Sequence, residues 1–202
     1  MRHLQKVLLL SAVAVAGVVL AAPGVAQAEG PYWHVNSQKL EASEEFALEG
    51  GLTFKHPFSE KFTFEINCPD VGSDGALENG EEAAEGAFSS FFLVAPGCIT
   101  NIPGCHPGFQ GTDTPTSIVT REGEVDITDF GVYMSLHGCE SIGIPNGWVI
   151  SIGGTLVGEW DNETGCLAYE DAGELQFVVA EKPVFVDGEL CLTAPGGAVT
   201  LE

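Results

Sequence analysis

The sequence predicts an all-β chain, an antiparallel sandwich or barrel of about ten or more short strands stapled by disulfides. Three observations predict it. After residue 28 no segment sustains a 3.6-residue apolar period. Short runs of β-branched and aromatic residues recur instead, cut by Gly, Pro, Asn and Asp. Six cysteines, an even number, all lie in that same part of the chain.

The N-terminus sets the expected compartment. Arg2, His3 and Lys6 precede an almost unbroken apolar run from Val7 to Leu20, which is short for a membrane span. Ala22-Pro-Gly then breaks any helix, and Ala26-Gln-Ala28 offers the small-x-small pattern of a signal-peptidase site. Residues 1–28 are therefore expected to be a signal peptide, and 29–202 a single secreted β domain. The expected mature chain has 202 − 28 = 174 residues, enough for one core. Removing Arg2 and Lys6 leaves five basic residues against 29 acidic ones, a formal charge of 5 − 29 = −24. Such a surface repels phosphate backbones and anionic headgroups, so nucleic acid and membrane surfaces are poor partners.

The strands follow in order. Residues 46–55, "FALEGGLTFK", read as a strand with a Gly-Gly kink or turn. In 61–67, "KFTFEIN", Phe62, Phe64 and Ile66 share one face and Thr63 and Glu65 the other, a strand with one wet side. Further strands are expected at 86–95, 117–121, 130–136, 148–152, 154–160 and 174–180. Residues 184–193 read as a hairpin, because Asp187-Gly188 suits a two-residue turn. Residues 198–201 close the chain. The stretch 106–116, "HPGFQGTDTPT", is expected to be a long exposed connection. Gly158-Glu, Gly173-Glu and Gly188-Glu recur every 15 residues, the beat of a meander.

In an exported chain Cys68, Cys98, Cys105, Cys139, Cys166 and Cys191 are expected as disulfides before metal thiolates. Fifteen pairings are open to six cysteines. The pairing adopted here as an expectation joins neighbours along the chain, beginning with Cys68–Cys98.

The first half of the expected mature chain resembles uncharacterised exported proteins of soil actinobacteria. The shared layout is a short aromatic segment (Pro31-Tyr-Trp-His-Val-Asn36), a Lys39-Leu40 pair, and a Gly-rich strand at 50–54. A strand ending in Cys68, a Gly-rich turn and the later Cys98 and Cys105 follow. The resemblance implies export, β-structure and a Cys68–Cys98 bridge. It implies no activity.

Several constellations bear on function. Asp70 to Glu81, "DVGSDGALENGE", places Asp70, Asp74, Gly75 and Glu81 where a twelve-residue calcium loop has positions 1, 5, 6 and 12. Position 3 is Gly72, and no amphipathic helix flanks the stretch, so a turn between strands is the favoured expectation. Calcium held by Asp70, Asp74 and Glu81 is the lesser reading, and no other cofactor is expected. Cys105, His106, His137 and Cys139 match no zinc spacing. Glu159 and Asp161 flank Trp160 and would share one face of a strand, on the same side of any ligand. No nucleophile elbow, metalloprotease helix or phosphate loop occurs. Trp33, Trp148 and Trp160, with Tyr32, could build a stacking platform for sugars, although tryptophans in a β-protein more commonly fill its core.

The expectation for function is a non-enzymatic binding or structural domain outside the cytoplasm. A calcium-assisted or glycan-binding module is the alternative, with an extracellular glycan or protein as partner. A secreted hydrolase is the third reading.

Overall fold

The structure, a computed structural model, describes residues 31–81, 84–93, 97–112, 117–121, 124–177 and 182–202. The expected signal peptide, residues 1–28, lies outside the described residues. In chain order the strands are β1 (Trp33–Val35), β2 (Gln38–Lys39), β3 (Glu44–Ser59), β4 (Phe62–Asn79), β5 (Ala84–Leu93), β6 (Ile99–Thr100), β7 (His106–Thr112) and β8 (Ser117–Arg121). They continue with β9 (Glu124–His137), β10 (Trp148–Asp161), β11 (Cys166–Phe177), β12 (Lys182–Thr193) and β13 (Val199–Leu201). Every pairing is antiparallel, and the one helical element among the described residues is a short 3₁₀ turn at Glu140–Ile142.

The large sheet closes on itself. Its order runs β10-β11-β12-β3-β4-β5-β8-β9, and β9 pairs back to β10. Each of these eight strands lies beside its sequence neighbour among them, so the wall is an up-and-down barrel that β12 and β3 seal. Alternation explains which side faces in. Phe46, Leu48, Leu52 and Phe54 of β3 are buried, while Glu45 and Glu49 are exposed. Val125, Ile127, Val132, Met134 and Leu136 of β9 do the same. A barrel of eight strands is just wide enough for such side chains to fill. An apolar interior with acidic outer positions is the inverse of a membrane-spanning barrel, whose outer band is apolar. No helix among the described residues is long and apolar enough to cross a membrane.

The strands are longer than the sequence suggests: those expected at 148–152 and 154–160 are one strand, β10, and three further expectations change. Asp70–Asn79, expected as a turn, is instead the second half of β4. Lys182–Thr193 is one strand, not a hairpin at Asp187-Gly188. His106–Thr112, the start of the expected long connection, is strand β7 against β9, while 113–116 lie outside the described residues. The physical reason is common to all. Pro, Asp and Gly also mark bulges, where a barrel strand bends without ending. Between Gly50↔Val71 and Leu52↔Cys68 the partner β4 carries one extra residue, at Pro69-Asp70. Asp129 and Asp171, both at positive φ, mark the bulges of β9 and β11.

One end of the barrel is plugged. A small sheet, β13-β1-β2, lies across it, and Trp33 is fully buried there. Asn79 fixes the plug: its Oδ1 accepts from the Trp33 backbone N–H at 2.7 Å, and its Nδ2 donates to the Trp33 and Leu40 carbonyls. The Trp33 indole N–H donates to the Glu85 carbonyl at 2.9 Å.

Disulfides fasten the irregular part of the wall. Toward the other end, β6 takes β5's place on the edge of β4, and β7 takes β8's place on the edge of β9. Cys68–Cys98 ties β6 to β4, and Cys105–Cys139 ties β7 to β9. Cys166–Cys191 joins directly opposed residues of β11 and β12. Three bridges of this kind point to an oxidising, extracytoplasmic environment.

Candidate functional site

The three tryptophans do not form a platform. Trp33 and Trp160 meet at the plugged end. Trp148 begins β10, twelve residues before Trp160, which is roughly 40 Å along a strand. Tyr32, also buried, has the Lys39 ammonium over its ring at 3.1 Å.

The acidic residues are likewise spread. Asp70 and Asp74 lie on one strand with an extended separation of roughly 13 Å, and Glu81 follows the strand's end. Glu159 stands opposite Glu124 of β9, whereas Asp161 is engaged in its own turn. Asp161 accepts from the Glu163 N–H at 2.8 Å and the Thr164 hydroxyl at 3.0 Å, and these hydrogen bonds hold its carboxyl below the ordinary value. His106 and His137 face each other across β7 and β9, but Cys105 and Cys139 are consumed in their bridge. The one cluster of metal-ligating types among the described residues is Cys166, Glu189 and Cys191, and its two sulfurs form a disulfide.

What the fold does assemble is an apolar mouth at the end opposite the plug. A cavity of about 480 Å³ lies between the last residues of β3 and β9, the first of β4, β10 and β12, and the last of β11. Its size falls within the usual range for small-molecule pockets. Phe58, Phe64, Leu136, Ile144, Trp148 and Phe177 give it an apolar wall. Phe58 and Trp148 are 54% and 53% exposed, and Val149 is 47% exposed, so the wall opens to solvent.

Aromatic contacts shape that wall. The His56 ring stands edge-on to Phe177, centroids 4.8 Å apart, and to Phe58 at 6.4 Å, and Phe58 meets Phe62 at 6.2 Å. His56 Nδ1 lies 2.9 Å from the Pro183 carbonyl. A carbonyl only accepts, so Nδ1 carries the proton and the ring is fixed between β3 and β12. Lys182 also lines the cavity, and among the described residues no Asp or Glu does.

Of these residues, sequence reasoning singled out Trp148 alone. The signal for the others was present in "HPFSEKF", residues 56–62, where two phenylalanines and a histidine crowd a polar turn. Phe177 and Lys182 carried no local signal, because only the closure of the barrel brings them to His56.

Two other features are structural. On the outer wall Lys55 of β3 pairs with Asp187 of β12, and with Asp171 of β11 at 3.5 Å. The hydrogen bond to Asp187 is the main reason that the Lys55 pKa is raised. Desolvation pushes the Asp187 carboxyl up, but the Lys55 ammonium and the Asp171 N–H outweigh it and leave the pKa below its ordinary value. Inside the barrel Tyr169 has no hydrogen-bond partner among the described residues, and burial pushes its phenol far above the usual range.

No protein-family model matches the chain, and no curated protein or solved structure is significantly similar to it.

Proposed function

We propose that the chain acts outside the cytoplasm as a non-enzymatic binding barrel that takes a small apolar ligand at its open end. The observation that carries this reading is the mouth itself, an aromatic-walled cavity of about 480 Å³ with Phe58 and Trp148 half in solvent. Large apolar side chains held at a surface cost solubility and gain value when a ligand covers them. The plug at the far end supports the reading too. It leaves one end of a filled barrel to carry recognition, on strands that neighbouring ladders hold rigid. Export would supply the oxidising compartment that three disulfides need. The spread of Trp33, Trp148 and Trp160 takes away the platform that a sugar would stack on.

The test is a titration with 1-N-phenylnaphthylamine, a neutral probe that brightens in apolar surroundings. A saturable rise that Phe58→Ser and Trp148→Ser each weaken, at unchanged circular dichroism, is expected. A rise that does not saturate, or that both variants leave intact, would contradict the proposal.

A further inference from the structure

We infer that the ligand of the mouth is an apolar organic anion, an aliphatic or aromatic carboxylate whose tail lies among Phe58, Phe177 and Trp148 and whose head meets Lys182. The inference rests on the proposed binding function and adds the chemistry of the head group.

Cations are scarce along the chain. The chain has 7 Lys and Arg against 29 Asp and Glu, so a lining drawn without preference from its charged residues would be acidic. The cavity's lining is the reverse. Among the described residues that line it, Lys182 is the one ammonium, Ser151 contributes a hydroxyl and His56 an imidazole, and none is a carboxylate.

Lys55 is held by Asp187 and Asp171, and Lys39 lies over Tyr32. Among the described residues no carboxylate lies within ion-pair distance of Lys182. It opens β12 next to Pro183, whose carbonyl fixes His56, so its backbone is anchored at the rim. Lys61 stands at the same end, in the turn between β3 and β4, but is not among the residues that line the cavity. The charge that decides is therefore Lys182.

A lysine ammonium beside an apolar wall suits a carboxylate with an apolar tail. The tail buries against the aromatics, and the head exchanges water for a charge-assisted hydrogen bond where neighbouring apolar surface weakens competition from solvent. The overall field works against this. A chain of net charge −22 attracts cations and repels anions at long range. A preference for an anion must then arise locally, which makes it a sharp observable.

Three ligands with one tail separate the outcomes: decanoate, decanol and decyltrimethylammonium, each competing against the neutral fluorescent probe at fixed ionic strength and below micelle formation. Decanoate is expected to bind about tenfold more tightly than decanol. Lys182→Met is expected to remove that margin, while Lys61→Met keeps it. Equal affinity for decanoate and decanol, or tightest binding of decyltrimethylammonium, would overturn the anion inference and leave the binding reading standing. Failure of all three to displace the probe, or failure of the probe itself to bind, would overturn both.

Discussion

Trp33 and Trp160 meet edge to face, ring centroids 5.3 Å apart and planes at 80°, beneath the small sheet that plugs one end of the barrel. One ring comes from the start of the described chain and the other from the end of β10. The contact therefore ties the plug to the wall. Trp33→Ala is expected to cost about 3–5 kcal/mol in chemical denaturation, the range for deleting a buried aromatic. Trp33→Phe should cost clearly less, because it keeps a ring in the site and loses the indole donor to Glu85.

The bridge Cys105–Cys139 closes 34 residues of chain and holds β7 to the end of β9 beside the mouth. In the chain-entropy account a loop of that size is worth about 3.8 kcal/mol. The double variant Cys105→Ser/Cys139→Ser should lower stability by about that amount in urea. It should also speed amide exchange in β6 and β7 before β11 and β12, where Cys166–Cys191 remains. Uniform loss of protection around the barrel would show that the seam is not the weak part of the wall.

Gly188 has φ +138, and a Cβ placed there would lie 2.1 Å from the Gly51 carbonyl oxygen. That neighbour is backbone of an adjoining strand and cannot step aside cheaply. Gly188→Ala should destabilise by more than 2 kcal/mol, roughly the strain of a forbidden backbone conformation and more. Gly104 also has positive φ, at +80, but nothing lies within 4 Å of its added Cβ. Gly104→Ala should cost about 1 kcal/mol. Equal losses in thermal unfolding of the two variants would contradict this difference in crowding.

The Lys55–Asp187 pair gives a pH signature. Asp187 has a lowered pKa, so its contribution to stability is complete above the ordinary value of 3.8 and fades as pH falls through its lower folded value. Lys55 has a raised pKa, so its contribution is complete below 10.5 and fades as pH rises beyond it. Both side chains are partly exposed, which limits the pair to about 1 kcal/mol or less. The urea midpoint of Asp187→Asn should thus lie below that of the wild type at pH 7. The gap should narrow when both are measured near pH 3. A gap that is constant with pH would assign the loss to packing.

Much of this architecture was legible in the residues. Alternation in "KFTFEIN" reports a wall with one wet side, and six cysteines, an even number, report bridges. Strand ends were not legible. The same Asp and Gly at 187–188 suit a hairpin turn or a bend within a strand, and local chemistry is alike for both. The difference lies in long-range partners: Lys55 holds Asp187, and Gly51 crowds Gly188, across the β3–β12 ladder that closes the barrel. The acidic stretch at 70–79 misled for the same reason, since its pairing with 44–50 of β3 outweighs its turn-like composition. Whether Trp33 joined a platform or the core was not legible either, because β13, which pairs with β1, comes from the far end of the described chain. The mouth was hidden most completely. His56, Trp148, Phe177 and Lys182 come from four strands, and only Phe177 and Lys182 are near one another in sequence.

The central claim, a barrel plugged at the Trp33 end and receptive at the Trp148 end, meets its most direct test in the three indole N–H signals of an NMR spectrum titrated with decanol. The Trp33 donor is buried on the Glu85 carbonyl, the Trp160 donor is bonded to Asn162 at 2.6 Å, and Trp148 stands in the mouth. The account predicts that the Trp148 signal shifts saturably while Trp33 and Trp160 stay in place. A Trp148 signal that does not move, or one that moves together with the other two, would contradict it.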